Sequence, residues 1–188
     1  LHAAGLWLDY SRQHIDAEGL DALRRCAQTA GLTQAVRAMF AGEPVNVTEQ
    51  RPALHVALRQ PRRAAIGGAA IESAVLAERS RMLGLAEDLR NGRLVSATGR
   101  AYTDVVNIGI GGSDLGPAMA LRALRPYAVG GPRVHCVGNI DGVALHDLLA
   151  ELDPQSTLFV VTSKSFKTEE TLSNAERARQ WIETHLDA

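Results

Sequence analysis

Aromatic residues are scarce in this chain: three Phe, three Tyr and two Trp make up 4% of its 188 residues. Any core must therefore be aliphatic, and a hydrophobic fraction of 46% supplies enough material for one. An excess of charge of either sign is also missing, with 20 Lys+Arg against 21 Asp+Glu and a formal net charge of -1. That balance excludes the broad basic face of a nucleic-acid binder, so any cationic site has to be local. No stretch approaches the roughly 18 consecutive apolar residues of a membrane span. The start, Leu1 to Gly5, lacks the basic end and apolar run of a secretory leader, and the expectation is a cytoplasmic protein with no membrane partner. The two cysteines, Cys26 and Cys136, have neither CxxC spacing nor companion histidines, which predicts no metal site and two free, buried thiols. The first residue is not Met and the chain ends at Ala188 directly after a helical pattern, so a fragment of a longer, two-domain protein is expected.

Residues 1–95 predict a helical amino-terminal region. Asp16 is placed to cap a helix carrying Leu20, Leu23 and Ala27 that Gly31 would end. Thr33 is placed to cap a second, with Val36, Met39 and Phe40 turned inward before Gly42. A third runs from Thr48, or from nearer Arg51 because of Pro52, through Leu54 and Leu58 to Arg59, with Pro61 as its stop. The most periodic helix places Ile71, Val75, Met82, Ala86 and Leu89 on one face and ends at Asn91-Gly92. Residues 96–188 change pattern. Short apolar runs at Val105 to Ile110, Val134 to Val137 and Leu158 to Val161 are spaced by helix-length segments, which is successive βαβ and predicts a partial parallel α/β domain. Asp141 caps the helix of Val143, Leu145, Leu148 and Leu149, and Asp153-Pro154 turns the chain back. Ligands of such sheets gather beyond the carboxyl ends of the strands, after Ile110, Val137 and Val161.

Gly109-Ile110-Gly111-Gly112-Ser113-Asp114-Leu115-Gly116-Pro117 follows the first strand. Its glycines allow backbone to approach a ligand, and the following helix start favours an anion. The dinucleotide pattern fails because Asp114 stands at the third glycine, and the P-loop pattern fails because Pro117-Ala118 replace its Lys and Ser/Thr. A tight turn without a ligand would read the same way. After the third strand comes Ser163-Lys164-Ser165-Phe166-Lys167-Thr168-Glu169-Glu170-Thr171. Lys164 and Lys167 are the only lysines, the other eighteen basic residues being arginine. A compact ammonium beside the hydroxyls of Ser163, Ser165 and Thr168 suits a phosphate monoester, whereas a serine-capped helix start with two solvated lysines is the plainer reading. None of the six histidines stands out as a catalytic base; His135 lies in a strand and reads as a packed, hydrogen-bonded residue.

The run Asn107 to Pro117 resembles a signature of the glucose-6-phosphate isomerase family. Ser163 to Thr171 resembles that family's second phosphate loop, while Asn46 to Arg51 with Leu54 to Arg59, and Leu8 to Ser11, resemble its amino-terminal helical region. The departures are Ser165 and Lys167 where the family usually has threonine, Glu169 where glutamine is common, and Pro52 where alanine is common. The resemblance implies a sugar-isomerase-like α/β fold, incomplete in this chain, and interconversion of glucose 6-phosphate and fructose 6-phosphate in glycolysis and gluconeogenesis. It further implies a homodimer at full length, with no metal or organic cofactor. Carried over by position, Ser163, Lys164, Ser165 and Thr168 would hold the substrate phosphate, with Gly112 and Ser113 beside the sugar. Glu170 would orient a ring-opening histidine supplied by later sequence. The proton-transferring glutamate is expected beyond Ala188, so the chain is expected to be inactive alone. The alternative is a non-catalytic sugar-phosphate-binding regulatory module on the same type of sheet. A nicotinamide-dependent dehydrogenase is disfavoured by the failed glycine spacing.

Overall fold

A computed structural model describes residues 1–59 and 66–186, and the expected stop at Pro61 lies outside the described residues. The chain divides into two units, Leu1–Arg79 and Ser80–Ala188.

In the first unit, β1 (His2–Ala3) pairs antiparallel with β2 (Leu6–Trp7) around Ala4 and Gly5, both at positive φ. Two-residue strands are too short to leave a periodic trace, and the sequence reading has no strand there. Helix α1 (Ala17–Thr29) begins as expected, the Asp16 carboxylate accepting the Gly19 N–H at 2.8 Å. The expected cap at Thr33 is corrected: α2 (Leu32–Ala41) starts after Gly31, whose left-handed backbone turns the chain so tightly that Thr33 falls inside the helix. Val36 and Phe40 are exposed rather than inward, Met39 is half-buried, and neither α1 nor α2 contains a fully buried residue. Cys26 is likewise exposed, against the expectation of a buried thiol, and both cysteines are free. The third helix is shorter than predicted, a 3-10 turn over Leu54–Arg59. Asn46 and Arg51 exchange backbone hydrogen bonds, and the Asn46 carboxamide accepts the N–H groups of Thr48 and Glu49, which commits that stretch to a closed turn.

Helix α3 (Ala69–Arg90) carries Ile71, Val75 and Leu89 half-buried, but Met82 and Ala86 of the same predicted face are exposed. The helix stops at Gly92, in the left-handed region, as the sequence predicts.

The second unit holds three parallel strands, β3 (Asp104–Ile108), β4 (Arg133–Val137) and β5 (Thr157–Val161), in the spatial order β4-β3-β5. The first strand ends at Ile108, two residues before the predicted limit, since Gly109 and Ile110 already belong to the turn into α4 (Gly112–Leu124). All five residues of β3 are buried. Val106 and Ile108 pack with Leu145 of α5 (Gly142–Ala150) and Ala178 of α6 (Glu169–Leu186), while Phe159 and Trp181 meet edge to face at 6.0 Å. Asp141 caps α5 through Val143 N–H at 3.0 Å. The chain runs from β3 through α4 to β4 on one side and from β4 through α5 to β5 on the other, a reversal of strand order typical of doubly wound α/β sheets. The predicted fold class is what the structure has: a parallel sheet flanked by helices, preceded by a mostly helical region.

At the amino ends of the strands, Asp104 is 2% exposed and receives Arg133 at 2.8 Å, His135 Nε2 at 2.8 Å and the Thr103 hydroxyl at 2.9 Å. Burial pushes this carboxyl up, but hydrogen bonds from Arg133, His135 and Thr103, with the guanidinium charge, outweigh it and hold the carboxyl below the ordinary value. His135 is thus a hydrogen-bonded mid-strand residue whose partner, Asp104, lies at the end of the sheet remote from the glycine turn.

Candidate active site

The two segments singled out in the sequence leave adjacent strands. β3 and β5 are hydrogen-bonded partners, in register from Asp104 and Thr157 to Ile108 and Val161, so their carboxyl ends lie about 4.8 Å apart before the chain departs in opposite directions. A crevice at such a reversal is where open α/β sheets receive ligands. The loop after β4 stands one strand further away.

At the β3 end, Gly111 has φ 62° and serves as the cap residue of α4, with no side chain capping the helix. The N–H groups of that first turn bond backward along the chain, Ser113 to the Ile110 carbonyl at 3.3 Å and Asp114 to the Gly111 carbonyl at 3.1 Å, and the helix start still presents its positive dipole end. Gly112 is exposed and Ser113 half-buried in that first turn. Gly109 has a steric role, since a Cβ there would sit 2.8 Å from both the Ser113 Cβ and its carbonyl oxygen. Asp114 has turned away from the crevice to lie on Gly138, where a Cβ would come within 2.5 Å of its Cγ. Its Oδ1 is shielded from solvent and has no hydrogen-bond partner among the described residues. Burial, and then the charge of Asp114, push the nearby Cys136 thiol above its ordinary pKa.

At the β5 end, Ser163 and Thr168 are half-buried, whereas Lys164, Ser165, Lys167 and Glu170 are exposed. The Ser163 hydroxyl accepts the Phe166 N–H at 3.1 Å and keeps its own proton for donation. That bond closes a loop in which Phe166 occupies the left-handed region, φ 51°, an unusual position for an aromatic residue. The Thr168 carbonyl accepts the Leu172 N–H at 3.0 Å and starts α6. Glu170 lies in the first turn of α6, a position favourable for an acid whatever else it does.

Two residues to which the sequence reading gave no role join these segments. Thr162 Oγ1 donates to Asn107 Oδ1 at 2.7 Å, and Asn107 Nδ2 donates to the Ser113 carbonyl at 2.9 Å. The available signal was a single amide inside an otherwise apolar strand run. Asn174, also buried, donates to the Asn139 carbonyl at 2.7 Å and ties α6 to the loop after β4. Among the described residues, no group of three or more His, Cys, Asp and Glu side chains is gathered around a common point, and no helix is long and apolar enough to cross a membrane.

Comparison with known proteins places this arrangement. The profile described as phosphoglucose isomerase matches residues 9–188. The glucose-6-phosphate isomerase of Cupriavidus taiwanensis is 48% identical over 97% of this chain and 34% of that protein. That of Cereibacter sphaeroides (strain ATCC 17025) is 50% identical over 93% of the chain and 33% of its own length. The crystal structure of a glucose-6-phosphate isomerase from Chlamydia trachomatis superimposes with a TM-score of 0.70 at 29% identity, covering 94% of this chain and 34% of that one. The chain thus spans about a third of the length of the relatives it matches. Over that third, sequence and fold agree from the amino-terminal helices to α6, and the chain belongs to the phosphoglucose isomerase family.

Proposed function

We propose that this chain carries the phosphate-anchoring part of an enzyme interconverting glucose 6-phosphate and fructose 6-phosphate, a step of glycolysis and gluconeogenesis. The observation that carries the reading is the adjacency of β3 and β5, which sets a hydroxyl-lysine loop beside a glycine turn at one reversal of the sheet. In this reading Ser163, Lys164, Ser165 and Thr168 hold the phosphate: three hydroxyls donate, and one ammonium supplies a compact charge. Gly112 and Ser113 lie beside the sugar, and Glu170 supports the imidazole that opens the ring. Binding energy gathered at the phosphate, remote from the reacting carbons, fixes the sugar for proton transfer. A held near-attack geometry lowers such a barrier by up to about 7 to 11 kcal/mol. Proton transfer between the first two sugar carbons passes through an enediol and uses a glutamate from the part of the family's length that this chain does not span. The proposal includes a homodimeric, cytoplasmic enzyme at full length, with the sugar phosphate as the partner of this site and neither a metal nor an organic cofactor.

The test is an amide NMR titration of the chain with fructose 6-phosphate, with inorganic phosphate and unphosphorylated fructose as controls. Shifts concentrated at Gly111 to Ser113 and Ser163 to Thr168, large with the sugar phosphate, weaker with phosphate and absent with fructose, are expected. A well-dispersed spectrum unmoved at Ser163 to Thr168 would overturn the anchor.

A further inference from the structure

Asn107 is the one carboxamide in a strand whose five residues are all buried. A buried amide without partners costs more than an apolar residue of the same size, so its retention asks where its polar atoms go. The donor side reaches the Ser113 carbonyl, and this acceptor is special. In α4 the regular partner of that oxygen is the N–H of residue 117, and residue 117 is proline. Pro117 has no N–H to give, and its ring crowds the carbonyl four residues earlier. The Asn107 amide supplies the missing donor at 2.9 Å, and the bare Gly109 leaves the space for Ser113 to come close. The acceptor side takes the Thr162 hydroxyl at 2.7 Å, while the Thr162 N–H donates to the Ile108 carbonyl at 2.8 Å. A carbonyl can only accept, so the orientation of the amide is fixed. Ser163, the first residue of the lysine loop, follows directly. One rigid planar group therefore holds the sugar-side turn by one end and the root of the phosphate loop by the other.

We propose that Asn107 is a positioning residue that couples these two loops, so that occupation of the phosphate loop sets the place of Ser113. The proposal rests on the phosphate-anchor reading above and adds to it a transmitted constraint. It predicts that the loops respond together to a ligand that touches only one of them.

The experiment titrates inorganic phosphate and fructose 6-phosphate into the isotope-labelled 188-residue chain and into Asn107→Ala, following the amides of both loops. In the native chain, phosphate alone is expected to shift Ser113 as well as Ser163 to Thr168. In Asn107→Ala the shifts at Ser163 to Thr168 persist, the Ser113 response is lost, and fructose 6-phosphate binds about tenfold more weakly while phosphate changes less than about twofold. Adding Pro117→Ala to Asn107→Ala restores a backbone donor to the Ser113 carbonyl, and most of the lost affinity is expected to return. General destabilisation would weaken both ligands alike. If Asn107→Ala loses the native spectrum, Thr162→Val, which removes the hydroxyl at nearly constant volume, is expected to give the same selective loss. An unchanged Ser113 response to phosphate in the substituted chain, or equal loss of both ligands, overturns the coupling and leaves the anchor standing. A native chain unmoved at Ser163 to Thr168 by either ligand overturns the anchor, and the coupling with it.

Discussion

The two segments that flank the crevice are built on opposite principles. The turn after β3 is shaped by missing atoms: Gly109 lets the Ser113 backbone come close, Gly111 adopts a backbone few other residues adopt, and Gly138 makes room for Asp114. The loop after β5 is shaped by added groups, namely hydroxyls, an exposed ammonium and a Ser163 bond that holds Phe166 in the left-handed region. Such a contour resists side chains for different reasons at each point: a Cβ at Gly109 would meet the Ser113 backbone, one at Gly138 would meet the Asp114 carboxylate, and Gly111 has space but a backbone that side chains rarely adopt. A contour defined by polar groups tolerates replacement in the fold and registers it in the ligand. The stability of this crevice and its affinity are thus assigned to different sides.

The sharpest way to break that contrast is Gly109→Ala. Its new methyl would press on the Ser113 backbone at 2.8 Å and is expected to cost about 1 to 3 kcal/mol in urea unfolding. Gly112→Ala, whose Cβ would point into open space, is the matched control and should stay within about 0.5 kcal/mol of the native chain. On the other side, Lys164→Ala should leave the urea midpoint in place and weaken fructose 6-phosphate binding about tenfold or more, as loss of a charged hydrogen bond does. Lys167→Ala should lose less; a greater loss there would exchange the roles of the two lysines.

The remote end of the sheet offers a third comparison, read by pH. Asp104 has its carboxyl held below the ordinary value, so its contribution is complete above the unfolded pKa and disappears as pH falls through the lowered folded one. Thermal unfolding followed across the acid range should show this loss, and Asp104→Ala, expected to cost about 1 to 3 kcal/mol at neutral pH, should flatten it. The smallest effect belongs to the exposed surface of α6. Arg179, and then Gln180, hold the Glu176 carboxyl down to about 2. Arg179→Ala should return that carboxyl toward the usual range in a carboxyl-carbon NMR titration, with no resolved change in the urea midpoint.

Much of the sheet unit was legible because its signals are local and strong. Three apolar runs gave the strands, Asp141 and Asp153-Pro154 marked the turns, and the lysine pair stood out against eighteen arginines. Strand order was not legible. The placement of β5 against β3 rather than β4 depends on pairing between residues more than fifty positions apart, and it is this placement that makes two separate loops one crevice. Asn107 and Thr162 escaped for the same reason, since neither amide nor hydroxyl is remarkable until its partner 55 residues away is known. In α2 and α3 the periodicity was read correctly as helical, yet Val36, Phe40 and Met82 are exposed. A helical period identifies an apolar face, and only the neighbouring layer determines whether that face is covered.

The wide separation of the strand partners also has a consequence in time. β3 leaves the ribosome well before the strands on either side of it, β4 pairing from Arg133 and β5 from Thr157. At ordinary rates of synthesis Thr162 follows Asn107 by roughly 3 to 11 s, so the central strand is made long before its second edge is available. Through that interval the Asn107 amide has no Thr162 hydroxyl to receive. The arrival of β5 therefore gives β3 its second partner and satisfies the buried amide in one closure, which makes this pairing a later event than that of β3 with β4.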